Sequence, residues 1–223
     1  MDIQYTSGSA GDDRHPRDTH IQAPGPYAQP SERTGPAPAG PRFLFDLASP
    51  TSWLVAERIL QVMPVATEWV PVHVPDLGEG DGFRCADEEL IWREQVERRA
   101  SELGLQPVRW PREVPFDSGL AMRAATYAKV TGRTVAFALA AFRQAWCGGR
   151  SLADTDSVLI AGAACELHPR ALLKGAGLRS TRSALAQASE GVTAVPAIVL
   201  GDGERFTGED APERAAARVG AAA

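Results

Sequence analysis

Phe43-Leu44-Phe45-Asp46-Leu47 runs directly into Ser49-Pro50 and then into a stretch of helical spacing, and this juncture constrains the fold more than any other segment. A short run of aromatic and aliphatic residues bounded by turn chemistry reads as a buried strand. Serine followed by proline then reads as a helix N-cap with proline at the first helical position. Trp53, Ala56, Ile59, Leu60 and Met63 fall on one face of the predicted helix, which Pro64 stops. Thr67 to Val74 alternates as a second strand, and Pro71 within it predicts an edge position or a bulge. Strand, helix and strand at these lengths form a βαβ unit, for which a right-handed crossover is expected.

The segments on either side read differently. Residues 1–41 are rich in Pro, Gly, Ser, Asp and Arg and carry no apolar period, so they are expected to be a disordered tail. His15 and His20 lie there and read as solvated rather than metal-bound. Downstream, Asp87 to Gly104 reads as an amphipathic helix ending at glycine. Asp117 is expected to cap the next, which runs to Gly132, and Thr134 to Cys147 forms another, stopped by Gly148-Gly149. Asp154 to Leu167, Pro169 to Lys174 and Ser180 to Glu190 complete the helical set. Strand character returns at Val195 to Leu200, followed by a Gly201-Asp202-Gly203 turn, Glu204-Arg205-Phe206, and a helix from about Asp210. The sum is βαβ, a helical region, then ββα. That is an α/β chain of thioredoxin-like fold over 42–223, with an all-helical insertion at about 78–190.

Composition narrows the function. The chain has 223 residues, 44% hydrophobic and 23% charged, with a net charge of −5. That is an ordinary globular profile, and the net negative charge argues against a nucleic-acid partner. The longest uncharged apolar run, Val158 to Cys165, is far too short to span a membrane. Met1-Asp2-Ile3-Gln4-Tyr5 shows no secretory pattern, and the three cysteines Cys85, Cys147 and Cys165 include no Cys-x-x-Cys. A reducing, cytoplasmic setting is expected. No metal site is expected; His73 and His168 read as isolated surface or satisfied positions. Arg93, Arg98, Arg99, Arg109 and Arg112 read as a solvated basic face, with an acidic substrate as the alternative user. Cys147 and Cys165 sit at helical positions that suit core packing.

Ser49 is the sharpest chemical candidate. As a cap it needs no function. Yet a helix N-terminus stabilises an anion, a thiolate is such an anion, and a hydroxyl can donate to its sulfur without forming a disulfide. Val195-Pro196 is the second candidate. Proline at a strand's first residue is ordinary, but a cis bond would turn the Val195 backbone toward the helix N-terminus, where it could pair with a peptide-like ligand.

Four segments carry a resemblance: Phe45-Asp46-Leu47-Ala48-Ser49-Pro50-Thr51-Ser52-Trp53-Leu54, Ala121-Met122-Arg123-Ala124-Ala125, Gly191-Val192-Thr193-Ala194-Val195-Pro196, and Phe206-Thr207-Gly208-Glu209-Asp210. In order and spacing they resemble the signatures of the 2-hydroxychromene-2-carboxylate isomerase and kappa-class glutathione transferase family, itself similar to DsbA-like proteins. The resemblance implies that Ser49 contacts the sulfur of glutathione or another low-molecular-weight thiol. It implies that Val195 precedes a cis-proline, Pro196, and pairs with the thiol peptide, and that Asp210 with Glu209 holds the γ-glutamyl end. Thr51, Ser52 and Trp53 would border the substrate pocket, roofed by the helical insertion. It implies a thiol-dependent isomerase acting on an aromatic or polyketide-like small molecule, with a kappa-type transferase and a non-catalytic binding protein as alternatives. A homodimer is compatible with it. Because Ser49-Pro50-Thr51-Ser52 stands where a redox pair would be, a dithiol oxidoreductase is not expected. Several positions depart from the family pattern: Thr51 replaces an aromatic residue, Thr207 a bulky one, Ala211-Pro212 an arginine, and Asp117 an asparagine. The family's Gly-Asn-x-Pro-type loop is not recognisable between Val74 and Arg93.

Overall fold

The computed structural model describes residues 40–74 and 86–221. The expected tail up to residue 39, Cys85, and most of the segment between Val74 and Arg93 where the family loop was sought lie outside the described residues. In chain order the elements are β1 (Arg42–Phe45), α1 (Pro50–Ala56), α2 (Ile59–Val62), β2 (Glu68–Pro71), α3 (Ala86–Glu102), α4 (Gly119–Val130), α5 (Thr134–Trp146), α6 (Thr155–Ala164), α7 (Pro169–Gly177), α8 (Arg179–Ser189), β3 (Ala197–Val199), β4 (Arg205–Thr207) and α9 (Ala211–Gly220).

The four strands form one mixed sheet in the order β2-β1-β3-β4. β2 runs parallel to β1, while β3 is antiparallel to both β1 and β4. Pro71 is thereby confined to an edge strand, where its missing N–H costs no ladder bond. Alternation along the strands divides the apolar side chains between two faces. Phe43, Phe45, Trp69 and Ile198 join the large core with the helices, whereas Leu44, Val70, Val72, Ala197 and Val199 form a smaller cluster. Phe43, Phe45, Trp69 and Phe142 pack with ring centroids 5.1–5.8 Å apart. Each such pair adds about 0.5–1.5 kcal/mol beyond its area burial.

The helical insertion follows the expected punctuation. Gly104, Gly132 and Gly149, just beyond α3, α4 and α5, take positive φ. Small residues let the helices approach closely: a Cβ added to Gly175 of α7 would overlap the Tyr127 ring of α4. Trp92 and Trp110 pack at a tilt with centroids 5.1 Å apart, and Trp110 meets Trp146 edge-on at 5.7 Å, joining α3 to α5.

Three expectations need correction. The single helix from Trp53 to Met63 is broken between Ala56 and Ile59, and Leu60 is 61% exposed rather than on the buried face. The break lets Arg58 turn inward, where it pairs with Glu209 and Glu213 from the other end of the chain. Asp117 is not the cap of α4: Ser118 holds the N-cap position, and Asp117 Oδ1 accepts from Gly119 N at 2.7 Å. The arginines expected to share a basic face are divided among separate partners. Arg93 bonds Glu89 and lies 4.7 Å over Trp110, while Arg99 pairs with Glu102 and Glu209.

Candidate functional site

Strand directions decide which residues can meet. β1, β2 and β4 run the same way and β3 runs against them, so the segments after β1, β2 and β4 share one end of the sheet with the segment entering β3. That end gathers Ser49, His73, Val195-Pro196 and Glu209-Asp210 from distant parts of the sequence.

The turn from β1 into α1 is built on Asp46. Its Oδ1 accepts from Ala48 N at 2.9 Å, its Oδ2 accepts from Val74 N at 3.0 Å, and Ser118 hydrogen-bonds the same carboxylate. One wholly buried group therefore ties β1 to the segment after β2 and to the start of α4. Burial pushes the Asp46 carboxyl above the usual carboxylate range; the bonds from Ala48, Val74 and Ser118 and the nearby His73 oppose that shift without cancelling it.

Ser49 caps α1. Its Oγ accepts from Ser52 N at 3.1 Å, and Pro50 follows at the first helical position. A hydroxyl that accepts one bond still has its own proton to donate, so capping and donation to a ligand sulfur are compatible. Two features limit the electrostatic part of the expectation: Ser49 is only 6% exposed, and α1 has seven residues, too few for a strong dipole.

The residues expected to border the substrate pocket separate. Thr51 is half-buried at the surface. Ser52 is fully buried, its Oγ without a partner among the described residues, and Trp53 is a core side chain at 0% exposure. The Trp53 indole donates to Glu57 Oε1 at 3.2 Å, and Glu57 also takes Arg143 of α5, so its work is packing rather than pocket lining.

The Val195–Pro196 peptide is cis, as the resemblance implied, and Pro196 O accepts from Gly208 N at 3.1 Å. Among the described residues, neither the N–H nor the C=O of Val195 makes a hydrogen bond, although the residue is half-buried. A main-chain pair left open beside a sheet is a seat for an extended peptide-like group.

Glu209 and Asp210 also part ways. Glu209 is engaged: its carboxylate meets Arg99 and Arg58, and its carbonyl oxygen accepts from Arg58. Asp210 stands at the N-cap of α9 but makes no side-chain capping bond. Its carboxylate is 69% exposed and, among the described residues, pairs only with Arg214, at 3.1 Å. Of the two carboxylates, Asp210 is thus the more open to solvent.

Asp46 and Arg58 were missed as site-building residues. Asp46 had a local signal, a lone charge inside an apolar run, which must find partners if it is buried, whereas Arg58 follows Glu57 and had none. The two cysteines follow the core expectation unevenly, with Cys165 buried and Cys147 half-buried, and burial raises both thiol pKa values. No group of three or more potential metal ligands occurs among the described residues, and no described helix is long and apolar enough to cross a membrane.

The fold, a four-stranded mixed sheet with an inserted set of helices, matches that of DsbA-like thioredoxin-fold structures. The structure of a 2-hydroxychromene-2-carboxylate isomerase superposes with a TM-score of 0.69 at 16% identity, covering 82% of this chain and 96% of the other. A Streptomyces coelicolor protein described as a probable DsbA oxidoreductase gives 0.61 at 18%, covering 81% and 89%. The cytosolic disulfide reductase DsbM from Pseudomonas aeruginosa, in a structure with GSH, gives 0.56 at 16%, covering 82% and 98%. No protein-family model matches the sequence, and no curated protein matches it significantly.

Proposed function

We propose that the chain is a thiol-dependent enzyme of isomerase type, acting on an aromatic or polyketide-like small molecule in a reducing compartment. The observation that carries this is the convergence, at one sheet end, of a hydroxyl with a proton to give (Ser49), an unpaired main-chain N–H and C=O (Val195), and an exposed carboxylate (Asp210). Those groups fit a γ-glutamyl thiol: the Val195 main chain pairs with its peptide unit, Asp210 with its amine, and Ser49 with its sulfur. When bound, the thiol supplies the nucleophile that adds to the substrate and later leaves, dividing one difficult isomerisation into easier steps. Ser49 steadies the ionised sulfur, and Asp46 holds the turn on which Ser49 sits. A dithiol exchange is not part of the proposal, because Ser49 and Ser52 occupy both positions of the redox pair.

A kappa-type transferase would use the same groups, and the two part at the product: an isomer that has released its thiol, or a stable conjugate. The non-catalytic alternative draws on the burial of Ser52 and Trp53, which leaves Thr51 as the accessible member of the expected pocket wall. A thermal-shift panel of low-molecular-weight thiols tests binding first. The ultraviolet absorbance of the bound thiolate then gives its pKa in wild type and Ser49→Ala. A higher pKa in the variant is expected, and equal values would reduce Ser49 to a helix cap.

A further inference from the structure

Arg123 belongs to one of the four segments that carry the resemblance, yet the thiol site does not use it. It lines a cavity of about 330 Å³ together with His73, Arg182, Leu185, Ala186 and Ser189. The three basic side chains come from the segment after β2, from α4 and from α8, so the fold and not local sequence assembles them. Two of them meet a carboxylate near one point: a Cβ built on Gly119 would stand 3.0 Å from Asp117 Oδ1, 3.3 Å from Arg123 Nη1 and 3.6 Å from His73 Cε1.

The charge around this cavity is unbalanced. Neither Arg123 nor Arg182 makes an ion pair among the described residues, and no carboxylate lines the cavity. Two acids stand behind it without lining it, so the cations that face the cavity itself, Arg182 above all, have no carboxylate on its wall. Asp46 is wholly buried with both oxygens hydrogen-bonded, and Asp117 accepts from Gly119 N. A second cavity shows the contrast: there Arg112 and Arg150 share the wall with Asp154 and Asp156. Leu185 and Ala186 add an apolar side to the first cavity.

We infer that the His73–Arg123–Arg182 cavity binds a small organic oxyanion, a carboxylate or phosphate carried on a compact apolar body. A guanidinium presents paired N–H donors that match two oxygens of such a group, and partial burial strengthens the contact. The apolar body lies against Leu185, Ala186 and the arginine stems. The site uses none of Ser49, Val195 or Asp210, so it stands or falls apart from the thiol proposal.

The test is a titration of the full chain, followed by amide chemical shifts, with benzoate, phenyl phosphate and the neutral benzyl alcohol. At least one of the two anions is expected to shift residues around Gly119 and Leu185 and to bind about tenfold or more tightly than the alcohol. The stronger anion identifies the headgroup. Arg182→Gln, at an exposed position, should weaken that anion by about tenfold without changing the melting temperature. Arg123→Gln should do the same, and Arg123→Lys should restore part of the loss. Equal binding of anion and alcohol, shifts confined to another surface, no anion binding, or an unchanged affinity in Arg182→Gln with Arg123→Gln would each overturn the assignment. None of those results would touch the thiol site.

Discussion

The turn from β1 into α1 and the turn from β4 into α9 stand at the same end of the sheet, and both lead into a helix with proline in its first turn. They are held by opposite means. The first is buried and fixed by neutral and charge-assisted hydrogen bonds that converge on Asp46. The second is open to solvent and fixed by ion pairs, with Arg58 and Arg99 on Glu209, Arg58 on Glu213 and Arg214 on Asp210. In the buried turn a polar group cannot be lost without leaving others unsatisfied. In the exposed turn water replaces what is removed. The first turn is therefore expected to govern stability and the second to govern ligand affinity.

The largest effect should come from Asp46. Asp46→Leu deprives Ala48 N, Val74 N and Ser118 of their acceptor, and a loss of about 3 kcal/mol or more is expected in denaturant unfolding. Asp46→Asn keeps one acceptor oxygen and should cost about 1–2 kcal/mol. The same residue sets a pH dependence. Its carboxyl is held above the usual range, so the native state binds this proton more tightly than the unfolded chain does. The stability it contributes is fully present below the unfolded value, about 3.9, and falls as pH rises through the folded pKa. That component should vanish in Asp46→Asn. If wild type and variant keep the same slope across this window, Asp46 does not titrate as described.

Arg58 comes next, because it joins the two halves of the comparison: a cation buried in the α1–α2 region that reaches the exposed turn. Arg58→Met should cost about 1–3 kcal/mol, and it should lose part of its effect in a Glu213→Gln background, the Glu209 contacts carrying the rest. Additive losses would show that the pair is incidental.

Ser49→Ala should cost only about 1 kcal/mol, the loss of a helix cap. A loss as large as that of Asp46→Leu would place Ser49 in the buried frame rather than at its edge. Asp210→Asn should change stability least, by under about 0.5 kcal/mol, since its only partner among the described residues is an exposed arginine one turn away.

Much of the frame was legible because it is written locally. The Ser49-Pro50 juncture, the glycines after α3, α4 and α5, and the placement of Pro71 at an edge each depend on a few adjacent residues. The break before Ile59 was not legible. No glycine or proline marks it, and the partners that Arg58 reaches through it, Glu209 and Glu213, lie far along the chain. The same holds for the cavity of His73, Arg123 and Arg182, whose members only tertiary packing brings together. Trp53 misled for a related reason: its place in a motif suggested a pocket wall, while its size and apolarity made it a core residue.

The central claim is that Ser49, Val195 and Asp210 together hold a γ-glutamyl thiol, and one calorimetric titration tests it most directly. Wild type and Asp210→Asn are titrated with glutathione and with an analogue lacking the free amine. The expected result is that wild type prefers glutathione, that Asp210→Asn binds it about tenfold to a hundredfold more weakly, and that the analogue does not distinguish the two proteins. Failure of wild type to bind glutathione, or equal affinity in wild type and variant, would contradict it.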